Sequence, residues 1–175
     1  MARTTRNPLL TAAAGLALLA AGGAGWGGWA WYAAAHDDSA AYAVTRDEVL
    51  AAGEQAVQNM NTLDHRDVRR GLDTWQDSAT GDLRAQLTEG RAQFEQQIQQ
   101  AKTVSSAKVL SGAVTELDTR AGRARVMVAL RVTVTPAKGR PTAKESRMLG
   151  ELTRTPEGWK LSALGQAPVG NTAAD

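Results

Sequence analysis

A chain of 175 residues with no cysteine has no disulfide framework, no thiol nucleophile and no thiolate metal site, and its length suits one ordinary domain plus a short accessory segment. The formal charge of +2 comes wholly from Arg3 and Arg6, because from Asp37 onward 18 basic residues face 18 acidic ones. Those later charges are interspersed, as in Asp64-His65-Arg66-Asp67, so no basic stripe exists to track a phosphate backbone and no nucleic-acid partner is expected.

Residues 1–7 are too short to fold and read as a cytoplasmic stub whose Arg3 and Arg6 form a topology signal. From Pro8 to Ala35 there is no charged residue at all. A run of this length exceeds the roughly 20 apolar residues that cross a bilayer as a helix, so 8–35 is predicted to be a single-pass anchor. The positive-inside bias places the N-terminus in the cytoplasm and the C-terminal domain outside the cell membrane. Trp26, Trp29, Trp31 and Tyr32 gather at the outer end, where amphipathic rings favour the membrane interface. A cleavable secretory signal ending at Ala33-Ala34-Ala35 is the competing reading. Against it, the apolar run outlasts an ordinary h-region of about 7–15 residues, and three tryptophans crowd the cleavage region.

A polar linker is predicted over 36–43, followed by an extracytoplasmic domain over 44–168 and a flexible tail over 169–175. Thr45 with Glu48 reads as a capping box opening a helix that carries Val49, Gly53, Ala56, Val57 and Met60 at helical spacing. A second helix is expected from His65 to Gln76, with Val68, Leu72 and Trp75 on one stripe and Gly71 allowing close packing. A third runs from Gly81 to Lys102 through Leu83, Leu87, Phe94 and Ile98, its glutamines forming a solvated face.

After Thr103 the period changes to alternation. Ser106–Leu117 reads as a strand bent at Gly112, and Arg123–Thr135 as the clearest strand, with Val126, Val128, Leu130, Val132 and Val134 pointing one way. Thr142–Thr155 returns after a Pro-Gly turn, and Trp159–Leu164 closes the sheet. Three helices followed by a four-stranded antiparallel meander define an α+β domain with its helices on one face of a curved sheet.

The short stub, the anchor, Asn61-Thr62-Leu63-Asp64, the stretch Asp77 to Leu83 opening a long helix, and Ala101-Lys102-Thr103-Val104 before the strands resemble the Mce-associated membrane proteins of actinobacteria. Arg125 to Pro136, Leu152 to Thr155 and Gly158-Trp159-Lys160-Leu161-Ser162 are similar too. The resemblance implies a cone-shaped domain like nuclear transport factor 2 (NTF2-like, SnoaL-like), related in shape to VirB8-type secretion scaffolds. It also implies an accessory role in a Mce-type lipid or steroid importer, with Mce and permease subunits as partners beside the lipid bilayer.

The residues offer little chemistry. Proton abstraction beside a ketone needs a carboxylate base and a donor such as Tyr, yet the only tyrosine beyond the anchor is Tyr42, in the predicted linker. His65, between Asp64 and Arg66 and near Asp67, suits helix capping better than general base work, and one histidine alone is a weak metal site. No phosphate loop or nucleophile elbow is present. The expectation is a non-enzymatic scaffolding subunit with no catalytic, cofactor or metal residues, able to form homo-oligomers. Trp75 and Trp159 are assigned to the core, and Arg125, Met127 and Arg131, on the outer face of the clearest strand, to a partner surface. The alternatives are a VirB8-like scaffold of a secretion or conjugation system, and an anchored enzyme or lipid-binding module of the same fold.

Overall fold

The computed structural model describes residues 8–35 and 38–167. Arg3, Arg6, the rest of the expected stub and the expected tail lie outside the described residues. The chain divides into two compact units, Met1–Ala43 and Val44–Asp175.

Helix α1 spans Pro8–Ala35, 28 residues without a charge. Its leucines end at Leu19, and from Ala20 onward it consists of Ala, Gly, Trp and Tyr alone. Among the described residues no helix is long and apolar enough to cross a membrane, so the single-pass anchor expected over 8–35 is not shown; the Ala- and Gly-rich second half lowers the hydropathy of the helix.

Helix α2 spans Asp38–Met60. The capping box expected at Thr45 and Glu48 is therefore not a helix start, and the expected linker is helical from Asp38 onward. The reason is compositional: Ala40, Ala41 and Ala43 are strong helix formers, and neither Gly nor Pro interrupts them. The residues from Val44 onward belong to the second unit. There Val49, Ala56 and Val57 are buried against the sheet.

Two-residue strand β1, Leu63–Asp64, precedes a 3-10 turn over His65–Asp67 and helix α3, Val68–Ser78. Val68 and Leu72 are buried and Trp75 half-buried, on the predicted stripe. Gly71 faces Leu63 so closely that any β carbon there would collide with the Leu63 Cδ1 methyl. The single third helix expected over 81–102 is instead a pair, α4 (Gly81–Glu89) and α5 (Arg91–Ala101). Gly90 separates them, its ψ opened to −5° while its N–H still bonds to Gln86 C=O at 2.9 Å. A glycine inside a helix weakens it, and here the helix turns at it. Helix α5 closes at Lys102, a left-handed residue with φ 50° whose N–H reaches Ile98 C=O.

The sheet has five antiparallel strands in the order β1-β2-β3-β4-β5, one more than expected, with β2 at Val104–Asp118, β3 at Arg123–Thr135, β4 at Thr142–Thr155 and β5 at Gly158–Gln166. The extra strand is β1, which pairs Leu63 with Ser105 and Asp64 with Val104. Two residues are too few to show alternation, so no sequence period could announce it. Strand β2 runs unbroken through Gly112. Its irregularities flank that residue, between Val109 and Ser111 and between Val114 and Glu116. Gly112 serves instead to admit the Glu54 side chain, which would collide with a β carbon there. The core lies between α2 and the inner face of the sheet, where Val126, Val128 and Leu130 of β3, Leu152 of β4 and Leu161 of β5 are sealed from solvent. The loop after α3 docks on β5, with Thr80 N–H donating to Leu161 C=O at 2.7 Å.

Candidate functional site

Alternation along β3 buries Ala124, Val126, Val128 and Leu130 and sends Arg123, Arg125, Met127 and Arg131 outward. Arg125, Met127 and Arg131 therefore share one face, as the sequence predicts. Register then supplies their neighbours. Arg125 lies between Glu116 of β2 and Glu151 of β4, with ion pairs of 3.0 and 3.1 Å, and these two carboxylates, Glu116 foremost, raise its pKa. Arg131 pairs with Glu145 at 2.7 Å. Between these charged rows runs an apolar one, Ala113, Met127 and Leu149, directly opposite one another on β2, β3 and β4. On this face Arg125 and Arg131 are thus ion-paired, with a narrow apolar row between them, while Lys108, Arg123 and Arg147 share the face by register.

The Asp64 group is structural. The Asp64 carboxylate caps the 3-10 turn by accepting the Arg66 N–H at 2.9 Å, and the Arg66 guanidinium grips it at 2.6 Å. The hydrogen bonds from the Arg66 side chain, then from its backbone, lower the Asp64 pKa from 3.8 to about 2. His65 Nδ1 stands 3.3 Å from Thr103 C=O, and its backbone N–H donates to the same oxygen at 3.2 Å, which fastens the turn to the start of β2. Among the described residues no group of three or more His, Cys, Asp or Glu side chains is placed to hold a metal ion.

The two domain tryptophans are half-buried. Trp75 donates from Nε1 to Asn59 C=O at 2.8 Å and packs its ring 5.3 Å from Phe94. Trp159 packs against the core, and its buried Nε1 has no acceptor among the described residues. In α1, Trp26, Trp29, Trp31 and Tyr32 are all exposed, and at about 100° per residue they fall in four different quarters of the helix circumference.

A groove that the sequence reading missed opens on the inner face beyond the end of α2. Val132 and Val134 of β3 form one wall, Thr142, Lys144, Ser146 and Met148 of β4 the other, with Asn61 and Gln166 at the ends, and its volume is about 530 Å³. The signal that could have found it is parity: Thr142, Lys144 and Ser146 continue the inward series of Met148, Gly150 and Leu152, though their polarity hides it. A second, wider concavity of about 930 Å³ is charged, its lining including Asp82, Glu116, Asp118, Arg123, Arg125 and Glu151.

This arrangement is the NTF2-like α+β fold, and solved structures share it. An IcmL-like type IV secretion system protein from Legionella pneumophila is 12% identical with a TM-score of 0.58, over 74% of this chain and 97% of that one. The periplasmic domain of DotI is 20% identical with a TM-score of 0.57, over 77% of this chain and 97% of its own. The Agrobacterium tumefaciens VirB8 protein is 11% identical with a TM-score of 0.51, over 69% and 92% respectively. The chain belongs to the family described as "Uncharacterized protein Rv1363c/MT1408-like", whose model matches residues 9–164. No curated protein matches it by sequence.

Proposed function

We propose that the chain is a membrane-anchored, non-enzymatic scaffold subunit of a multiprotein envelope assembly, of the kind to which VirB8, DotI and IcmL-like proteins belong. The observation that carries this reading is that 97% of the DotI periplasmic domain and of the IcmL-like protein is covered by the present chain, so the likeness extends over those whole domains. This reading takes the uncharged run 8–35 as the anchor on its sequence rather than on the described helix, with Arg3 and Arg6 on the cytoplasmic side and Trp26, Trp29, Trp31 and Tyr32 at the outer interface. Tethering would confine the domain to one membrane surface and raise its effective concentration beside a neighbouring complex.

The accessory role in a Mce-type importer is the second reading, favoured by the resemblance spread over Asp77 to Leu83 and Gly158 to Ser162. Detergent extraction from native membranes, purification through a C-terminal tag and mass spectrometry separate the two. Secretion- or conjugation-channel subunits in stoichiometric amount are expected. Mce and permease subunits in their place would move the assignment to the second reading, and a chain that purifies alone would refute the scaffold. Protease protection in whole cells tests the anchor: a C-terminal tag on a full-length chain, digested from outside, is expected, whereas a tag released into the medium would refute it.

A further inference from the structure

Strand β4 outruns its neighbour. Met148–Thr155 pairs with β5, and Ala167 N–H still donates to Arg147 C=O at 2.9 Å, but Thr142–Ser146 pairs with β3 alone among the described residues. In an antiparallel ladder the N–H and C=O of one residue point to the same side, and the side alternates along the strand. Since Arg147 presents its carbonyl toward β5, Glu145 and Ala143 present their backbone groups to the open edge. The same segment forms one wall of the inner groove, opposite Val132 and Val134. Lys144 is the one charged side chain in that lining and makes no ion pair among the described residues, because its neighbour Glu145 points to the other face and holds Arg131.

We infer that the free edge Thr142–Ser146 and the groove beneath it are a docking site for an extended segment of a partner protein, added as a further strand, with apolar side chains in the groove and an acidic one at Lys144. The inference rests on the scaffold reading and names the surface by which it would be realised. Strand addition draws affinity from main-chain bonds and specificity from alternate side chains, and this edge offers both. A lipid chain would use the valine wall but leave the backbone groups of Ala143 and Glu145 without partners. A second copy is disfavoured, because antiparallel self-pairing centred on the groove sets Lys144 against Lys144, and like charges directly opposite repel.

The test uses the full chain in detergent and a fluorescein-labelled heptapeptide, Thr-Val-Thr-Glu-Thr-Val-Thr, whose valines and glutamate fall on one face. Fluorescence anisotropy is expected to show saturable binding. Ala143→Pro removes an N–H that faces the open edge and bonds to nothing in the sheet, so thermal unfolding stays as in the parent while binding weakens about tenfold or more. Lys144→Glu weakens binding likewise, and exchanging the peptide's Glu for Lys restores it. No saturable binding by the parent, or equal binding by Ala143→Pro, overturns the proposal. So does a dimer in sedimentation that Ala143→Pro dissolves, retention of lipid that blocks the peptide, or a chain ending at Ala167 that binds about tenfold tighter and so reveals residues 168–175 as the occupant. If the probe fails while the native assembly still co-purifies, this surface is wrong and the scaffold reading stands; if no assembly co-purifies, that reading falls on its own test.

Discussion

Gly53 sits in α2 against Val126 of β3, and replacing it by Ala sets two effects of known sign against each other. A β carbon at Gly53 would stand 2.8 Å from Val126 Cγ2, 3.1 Å from Cγ1 and 3.4 Å from Cβ. Carbon atoms settle at about 3.5–4.0 Å, so either α2 lifts by some tenths of an ångström or Val126 leaves its rotamer. Val126 is β-branched and fully buried, which makes the second route costly. Overpacking of this kind costs about 1–3 kcal/mol, while Ala over Gly in a helix interior contributes about 1 kcal/mol of stability. The expected net effect is a loss of about 1 kcal/mol, from the midpoint of the range of the first term less the second. The background isolates the cause. With Val126→Ala in place the colliding methyls are gone, and Gly53→Ala should then stabilise by about 1 kcal/mol, a reversal of sign and a coupling of about 2 kcal/mol. Urea unfolding followed by tryptophan fluorescence measures all four corners of the cycle. Equal stabilisation in both backgrounds would refute the close packing of α2 on β3.

Trp75→Phe and Trp159→Phe should separate in the same assay. Trp75 gives up a 2.8 Å bond to an Asn59 carbonyl that the Thr62 N–H still satisfies, a loss of about 0.5–1.5 kcal/mol beyond packing, whereas Trp159 gives up an N–H that has no acceptor among the described residues, so its substitution carries no such loss. Comparable losses would mean that Trp159 Nε1 has a partner after all. Asp64 titrates at about 2 in the folded chain against 3.8 ordinarily, so its contribution is complete above pH 3.8 and is lost as pH falls toward 2. Carboxyl NMR should follow that titration, and Arg66→Ala should return the midpoint toward 3.8 because it removes the guanidinium that hydrogen-bonds the carboxylate. A midpoint unmoved by Arg66→Ala would show that Arg66 does not hold the carboxylate.

What could be read in the sequence follows from how local each signal is. The alternation from Arg123 to Leu130 has period two whatever else the chain does, and it predicts both the buried face and the outward placing of Arg125, Met127 and Arg131. The helical stripe of Val68 and Leu72 is equally local. Other features were decided at a distance. The pairing of Leu63 with Ser105 joins residues 42 positions apart, and the exclusion of a side chain at Gly112 depends on Glu54 of α2. The carboxylates that pair with Arg125 and Arg131 come from β2 and β4, so these ion pairs could not be read from β3 alone. Helix starts were misplaced where a polar capping pair competed with an alanine-rich lead-in, because capping contributes about 1 kcal/mol and several alanines together outweigh it.

The groove follows from unequal lengths. Helix α2 ends at Met60, while β3 continues to Thr135 and β4 begins at Thr142, so the inner face extends beyond its cover. A sheet end meant only for water would carry polar inward residues on both strands. Here β4 does so with Thr142, Lys144 and Ser146, but β3 keeps Val132 and Val134, the latter 38% exposed. Val134→Thr distinguishes a bare edge from a docking wall. Thr and Val share a similar strand preference, and Val134 lies outside the packed core, so stability should change by less than about 0.5 kcal/mol. If the wall receives apolar side chains of a partner, the same substitution should weaken heptapeptide binding severalfold while the unfolding midpoint holds. Unchanged binding would mean that these valines make no part of the surface, and the free edge would then have to recognise its partner by backbone and Lys144 alone.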